Sequence, residues 1–160
     1  MRVRDLMTKN VACCRANEPL SVAAQLMWDC DCGAVPVLDD SGSRAVGVIT
    51  DRDICMATWI QNRPPAAIPV SEAMSRSLHC CSPEDDLVSA ETIMKSKQIR
   101  RLPVVDGDNR VLGILSLADI ALESSREAGR RQREVLADEV ATTLANICQG
   151  PSNTTIPATA

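Results

Sequence analysis

Apolar and polar positions follow two periods along this chain. From Pro19 to Asp31, Leu20, Ala23, Ala24, Met27 and Cys30 recur at helical spacing while Asp29 and Asp31 point elsewhere, which predicts an amphipathic helix. Val35-Pro36-Val37-Leu38 and Val46-Gly47-Val48-Ile49 are short apolar runs flanking Asp39-Asp40-Ser41-Gly42-Ser43, a composition that suits the turn of a hairpin. Pro36 has no N–H to give a ladder, so an edge position or a strand start is expected for the first run.

The layout then returns. Leu87 to Ile99 reads as a helix, Leu102-Pro103-Val104-Val105 and Val111-Leu112-Gly113-Ile114-Leu115 as strands, and Asp106-Gly107-Asp108-Asn109 as their turn. An offset of 67 residues lays Val3 on Val70, Met7 on Met74, Cys13-Cys14 on Cys80-Cys81, Leu20 on Leu87 and Pro36 on Pro103. After a one-residue gap in the hairpin, Thr50-Asp51-Arg52-Asp53-Ile54 meets Ser116-Leu117-Ala118-Asp119-Ile120. The fold class is therefore α/β, with two β-α-β-β-α repeats over residues 1–61 and 70–122. Residues 62–69, Asn62-Arg63-Pro64-Pro65-Ala66-Ala67-Ile68-Pro69, form a Pro-rich linker that cannot be a regular helix. A unit of this size has too little core to stand alone, so the copies are expected to pack about a pseudo-two-fold axis, share one core and leave a cleft for a ligand. The helical pattern running on from Ile120 predicts a long C-terminal helix over 123–149, stopped by Gly150-Pro151. The tail, 150–160, is expected to be flexible.

Composition narrows the function. Apolar residues are 45% and charged ones 24% of the 160 residues, enough for a buried core. Two Trp and no Phe or Tyr leave no aromatic platform for stacking bases, and a net charge of -4 gives no global field for a polyanion, so nucleic acid is not an expected partner. No apolar run reaches membrane-span length and the N-terminus has no signal-peptide core, so no membrane partner and a cytoplasmic location are expected. There is no G-x-S-x-G, H-E-x-x-H or G-x-x-x-x-G-K-[ST], and a single histidine, His79, deprives most acid–base schemes of their usual player; the expectation is a non-enzyme.

Gly33-Ala34-Val35-Pro36-Val37-Leu38-Asp39 and Gly47-Val48-Ile49-Thr50-Asp51-Arg52-Asp53-Ile54 resemble the pattern of CBS domains. The second copy supplies Arg100-Arg101-Leu102-Pro103-Val104-Val105-Asp106 and Gly113-Ile114-Leu115-Ser116-Leu117-Ala118-Asp119-Ile120. A loose motif thus occurs twice, in register, over about three quarters of the chain. The resemblance implies a disc-like tandem pair, a Bateman module, that binds an adenosine nucleotide between its repeats as a regulatory ligand, needs no other cofactor, and forms a homodimer.

The residues give that implication a physical basis. Thr50 and Ser116 each end an apolar strand and open a helix, where a hydroxyl can cap free N–H groups and the helix dipole favours an anion. Asp53 and Asp119, three residues on, stand on the first helical turn, where a carboxylate can accept from both ribose hydroxyls; the alternative is that S/T-x-x-D is only a capping box. Arg52, Arg100 and Arg101 are candidates for phosphate, since basic residues before that strand often contact phosphate in the resembling family, or else are solvated surface residues. Lys9 and Lys95 are further candidates. Gly33-Ala34 stands where the second repeat has Arg100-Arg101, so the two sites are not equivalent.

Other features leave alternatives. Cys13-Cys14 and Cys80-Cys81 occupy matching positions; a thiol-based redox or metal sensor would use them, while adjacent strand residues facing opposite ways and the ease of burying Cys favour packing. Arg126, Arg130, Arg131 and Arg133 interleave with Glu123, Glu127, Glu134, Asp138 and Glu139, which reads as a solvated or oligomer-forming helix. A structural dimerisation module with empty sites is a third reading. Met56, Trp59 and Ile60, together with Val140, Leu144 and Ile147, form the apolar surface expected to close a dimer. The regulated partner is expected to be a separate protein.

Overall fold

The computed structural model describes residues 1–128 and 134–149. The expected tail from 150, and Arg130, Arg131 and Arg133 of the basic group, lie outside the described residues. The chain runs α1 (Val3–Leu6), β1 (Thr8–Lys9), β2 (Cys14–Arg15), α2 (Leu20–Asp29), β3 (Ala34–Leu38), β4 (Ala45–Thr50) and α3 (Asp51–Gln61). Two short 3-10 turns over 65–67 and 70–72 carry it into α4 (Leu87–Lys97), β5 (Arg101–Val105), β6 (Val111–Ser116), α5 (Leu117–Glu127) and α6 (Ala137–Cys148). β2-β3-β4 form one sheet, β3 antiparallel to β4 and parallel to β2; β1-β6-β5 form the other, antiparallel throughout.

The expected single shared core is instead two cores. Leu20, Val35, Val37 and Ile49 pack with Ile68 and Val70 in one. Met94, Leu102, Val104, Leu115 and Ile120 pack with Val3 in the other. Each core is therefore completed by the segment that precedes the opposite repeat. The Val3 N–H donates to Asp85 O at 2.9 Å, and, at the positions 67 further on, the Val70 N–H donates to Glu18 O at 2.8 Å. Arg2 bridges Asp86 as Pro19 bridges Pro69, the same exchange seen from its two ends. Val3 and Val70 are fully buried, and each such valine contributes about 1.5–3 kcal/mol, so the exchange fastens the halves together as it fills their cores.

The exchange depends on glycine. A Cβ at Gly47 would stand 2.3 Å from Ser75 O, and one at Gly113 would stand 2.6 Å from Thr8 O. Thr8 and Ser75 are equivalent residues of the two exchanged segments, so each lies across a hairpin strand at a place where no side chain fits.

Pro36 lies inside the central strand β3, not at an edge or a strand start. Val48, opposite it, directs its N–H and C=O to Ser75, at 3.2 and 2.9 Å. At the equivalent Pro103, Cys81 donates to the Pro103 carbonyl at 3.1 Å and accepts the Val105 N–H at 3.0 Å, bypassing the nitrogen that proline cannot use. The ladder is phased so that proline's missing donor costs no bond.

The long helix expected over 123–149 is also broken. α5 ends at Glu127, Ala128 leaves helical geometry at φ -57, ψ 119, and α6 starts at Ala137. The buried Glu127 carboxylate accepts the N–H groups of Glu134 and Val135 at 2.7 and 3.0 Å, holding the returning chain. α6 then packs on α4 and α5, with Val140 and Ile147 against the second core, so these two do not belong to a free apolar surface. Among the described residues no helix is long and apolar enough to cross a membrane.

Candidate functional site

Both strand-to-helix junctions fold into reciprocal capping boxes. Thr50 Oγ1 accepts the Asp53 N–H at 3.2 Å, while Asp53 Oδ2 accepts the Thr50 N–H at 2.9 Å and its hydroxyl at 2.7 Å. Ser116 and Asp119 repeat this at 3.1, 2.8 and 2.7 Å. The Asp51 and Leu117 N–H groups are tied to the carbonyls of Gly33 and Arg100, at 3.3 and 2.9 Å. Each junction is thereby pinned to the residue just before the neighbouring strand, which fixes where the first helical turn sits relative to the sheet.

The second junction opens into a cavity of about 280 Å³. Arg101, Ile114, Ser116 and Asp119 come from the second repeat. Ala34, Val35, Cys30 and Cys32 come from the first, and Thr8, Asn10, Val11 and Ala12 form a wall from the exchanged N-terminal segment. Among the described residues the Arg101 guanidinium, the Asp119 carboxylate, the Ser116 and Thr8 hydroxyls and the Asn10 amide thus line a space whose remaining wall is largely apolar, the makeup of a small-molecule site. Ala34 and Arg101 are equivalent positions facing one cavity: the small residue leaves the room and the large one supplies the charge. At the positions matching Ala12, Cys30 and Cys32 the other half carries His79, Lys97 and Ile99, so its counterpart of this wall is bulkier and differently charged.

Of the sequence candidates, Arg101, Ser116 and Asp119 are brought together. Thr50 and Asp53 complete their own capping box and do not line this cavity, and neither do Arg52 and Arg100, both exposed. The wall from Thr8 to Ala12 and the pair Cys30 and Cys32 were missed by sequence reasoning, because the segment exchange that delivers that wall leaves no mark in a motif. The one available signal is Asn10, a turn-prone residue just past β1, which adopts φ 55.

A second, shallower space of about 370 Å³ lies between α2 and α3 and is lined by Ala24, Met27, Trp28, Cys32, Asp51, Ile54 and Cys55. Cys32 belongs to both spaces. Trp28, on the wall of the second, and Trp59 and Ile60, near the end of α3, are exposed by 83%, 76% and 67%, whereas α6 packs on the matching helices α4 and α5.

The paired cysteines pack. Cys14 and Cys81 are buried, each with its thiol 4.0 Å from the carbonyl of Pro36 or Pro103, and Cys13 and Cys80 are half-buried. Burial pushes the thiol of Cys13 up to about 11 and those of Cys14 and Cys81 up to about 12, and raises that of Cys80. Thiols held protonated in this way are poor nucleophiles and poor metal ligands. Among the described residues no group of three or more His, Cys, Asp or Glu is placed to hold a metal ion.

Comparison with known proteins accords with this geometry. The chain is 40% identical over 129 residues to the CBS domain-containing protein YhcV of Bacillus subtilis (strain 168), covering 79% of this chain and 89% of that one. It is 33% identical over 118 residues to Hypoxic response protein 1 of Mycobacterium tuberculosis (strain ATCC 25618 / H37Rv), covering 74% and 81%. The crystal structure of Hypoxic Response Protein I, which holds two coordinated zinc ions, superposes with a TM-score of 0.69 at 31% identity, covering 76% of this chain and 98% of that one. The CBS domain pair of protein MJ0100, solved with 5'-methylthioadenosine and S-adenosyl-L-methionine, superposes at 0.68 with 26% identity, covering 82% and 98%. The CBS domain family model matches residues 3–59 and again 70–126, and the chain belongs to the CBS domain family as a tandem pair.

Proposed function

We propose that this CBS pair is a regulatory module, not an enzyme, that binds an adenosine nucleotide in the cavity closed by Arg101, Ser116 and Asp119 and transmits its occupancy to a partner protein. The observation that carries the reading is the convergence of these three side chains on one cavity built from both repeats and the N-terminal segment. Asp119 suits ribose hydroxyls, and Arg101, the one cation of the cavity wall among the described residues, suits one phosphate. The apolar wall of Val11, Ala12 and Val35 suits the base. The adenosine-containing ligands of the MJ0100 pair add weight to the adenosyl part. A ligand that touches both repeats and the exchanged segment favours whichever arrangement of these parts brings its contacts together, and this differential affinity is the signal.

In the same reading the protein works as a homodimer through the exposed α2–α3 face, where two tryptophans and Ile60 stand uncovered. The test is a thermal-shift screen of the reduced protein against AMP, ADP, ATP, S-adenosylmethionine and zinc, followed by calorimetry. AMP is expected to raise the melting temperature in proportion to the logarithm of its concentration. An unchanged melting temperature with every adenosine compound would overturn the reading.

A further inference from the structure

Cys32 is half-buried and stands on the wall shared by the cavity and the α2–α3 groove, and Cys30, exposed, stands on the same cavity wall. Neither has a part in the nucleotide reading. The residue after Cys32 is Gly33, and a Cβ added there would meet Arg101 Nη1 at 3.9 Å, so this stretch of backbone passes beside the cavity's guanidinium. A group attached to the Cys32 sulfur and directed into the cavity therefore enters a space of about 280 Å³ that already holds a cation.

We propose that Cys32 is a site of reversible disulfide modification by small anionic disulfides, the adduct occupying the cavity and shutting the ligand out. The Cys32 thiolate attacks one sulfur of the disulfide R–S–S–R. A Cys32–S–S–R bond forms, the R–S–S–R bond breaks, and the departing thiolate takes up the proton that Cys32 released. A second thiol reverses the exchange, and no oxidant beyond the disulfide is required. Carboxylates on R pair with Arg101, which selects anionic disulfides over neutral ones. Cys13, Cys14, Cys80 and Cys81 do not compete, because burial keeps them protonated. Exclusion of ligand rests on the nucleotide reading; the modification site does not.

The experiment treats reduced full-length protein with glutathione disulfide or with neutral 2-hydroxyethyl disulfide, with and without AMP, and maps the adducts by mass spectrometry. Cys32 is expected to carry the glutathione adduct. Arg101→Ala should slow its formation about tenfold, the low end of electrostatic steering, while leaving the rate with the neutral disulfide unchanged. Saturating AMP should protect Cys32 and not Cys148, and modification should weaken AMP binding at least about tenfold until reductant is added, a loss of about 1.4 kcal/mol. In Cys32→Ser the ratio of AMP affinities before and after treatment should be one. Adducts at Cys30, Cys55 or Cys148 with Cys32 untouched would overturn the proposal, as would an Arg101→Ala effect equal for both disulfides. Reduced protein that takes no AMP, but reacts at Cys32 with the stated dependence on Arg101, would overturn the nucleotide reading and leave the modification site standing.

Discussion

Gly33 and Arg101, one from each repeat, lie against each other: a Cβ added to Gly33 would stand 3.9 Å from Nη1 of Arg101 and 3.3 Å from Oδ2 of Asp51. The guanidinium of the second repeat thus rests beside bare backbone of the first, at the border of the cavity. Arg101→Ala should weaken AMP binding by about tenfold or more, in line with a charge-assisted contact of ~1.5–3 kcal/mol, and leave adenosine binding nearly unchanged. Added salt should weaken AMP binding in the unmodified protein. Equal losses for AMP and adenosine in calorimetry would show that Arg101 supports the fold and not the phosphate.

Asp119 and Asp53 make the same capping box, but only Asp119 lines the cavity. Removing either carboxylate should cost about 0.5–2 kcal/mol of stability through the lost cap. Only Asp119→Ala should also abolish most nucleotide binding, with Asp53→Ala holding affinity within about twofold. A comparable loss of affinity in both variants, after denaturation has shown comparable loss of stability, would mean that cap and fold, not ligand contact, explain the effect.

Much of this was legible in the residues. The offset of 67 gave the repeats because each local signal recurs: turn residues, apolar periods, and S/T-x-x-D after a strand. It also put Arg101, Ser116 and Asp119 at the ends of strands that the motif locates, and the structure sets these three on one cavity wall. It did not give the exchange of Met1–Lys9 against 68–75, since Val3 and Val70 are equally apolar whichever core they enter, and partner choice is tertiary. Nor did it give the break after Glu127, where a charge that reads as helix surface turns inward to hold two N–H groups. Pro36 misled for a related reason: a lone proline argues against a central strand only when the ladder needs its N–H.

The exchange itself predicts two sensitive glycines. Gly47→Ala and Gly113→Ala set a methyl group against a backbone carbonyl, that of Ser75 or Thr8, which cannot rotate away as a side chain could. Each should lose about 1–3 kcal/mol in urea denaturation. Gly107→Ala, with nothing within 4 Å of the added Cβ, is the control and should be nearly neutral.

Glu91 on α4 is buried beneath α6, 3.6 Å from Lys95. Burial raises its carboxyl pKa, Lys95 opposes the rise, and Glu139 on α6 adds to it. A carboxyl raised on folding contributes stability that is complete below its unfolded value, near 4.3, and is lost as pH rises through the folded value. The stability of the unmodified protein relative to Glu91→Gln should therefore fall as pH rises above the unfolded carboxyl value, because burial holds the folded carboxyl higher. A difference that rises with pH would show that the ion pair with Lys95 outweighs burial.

The last prediction separates the two apolar helix faces. α6 already covers α4 and α5, and its Val140 and Ile147 belong to the second core, so truncation after Glu127 should uncover that core and lower stability by several kcal/mol, as removal of buried aliphatic side chains does. Among the described residues α2 and α3 have no such cover: Trp28, on the wall of a largely apolar groove, and Trp59 and Ile60, near the end of α3, are 83%, 76% and 67% exposed. A two-fold dimer would set this face against its own copy, and tryptophan is the side chain whose burial most often anchors such an interface. Light scattering coupled to size exclusion should give the dimer mass at micromolar concentration for the full chain. Trp59→Glu should give the monomer mass with little change in unfolding midpoint extrapolated to low protein concentration, because Trp59 is 76% exposed in its own chain. A full-length protein at the monomer mass across the micromolar range, or a Trp59→Glu variant that remains a dimer, would remove α2–α3 as the interface.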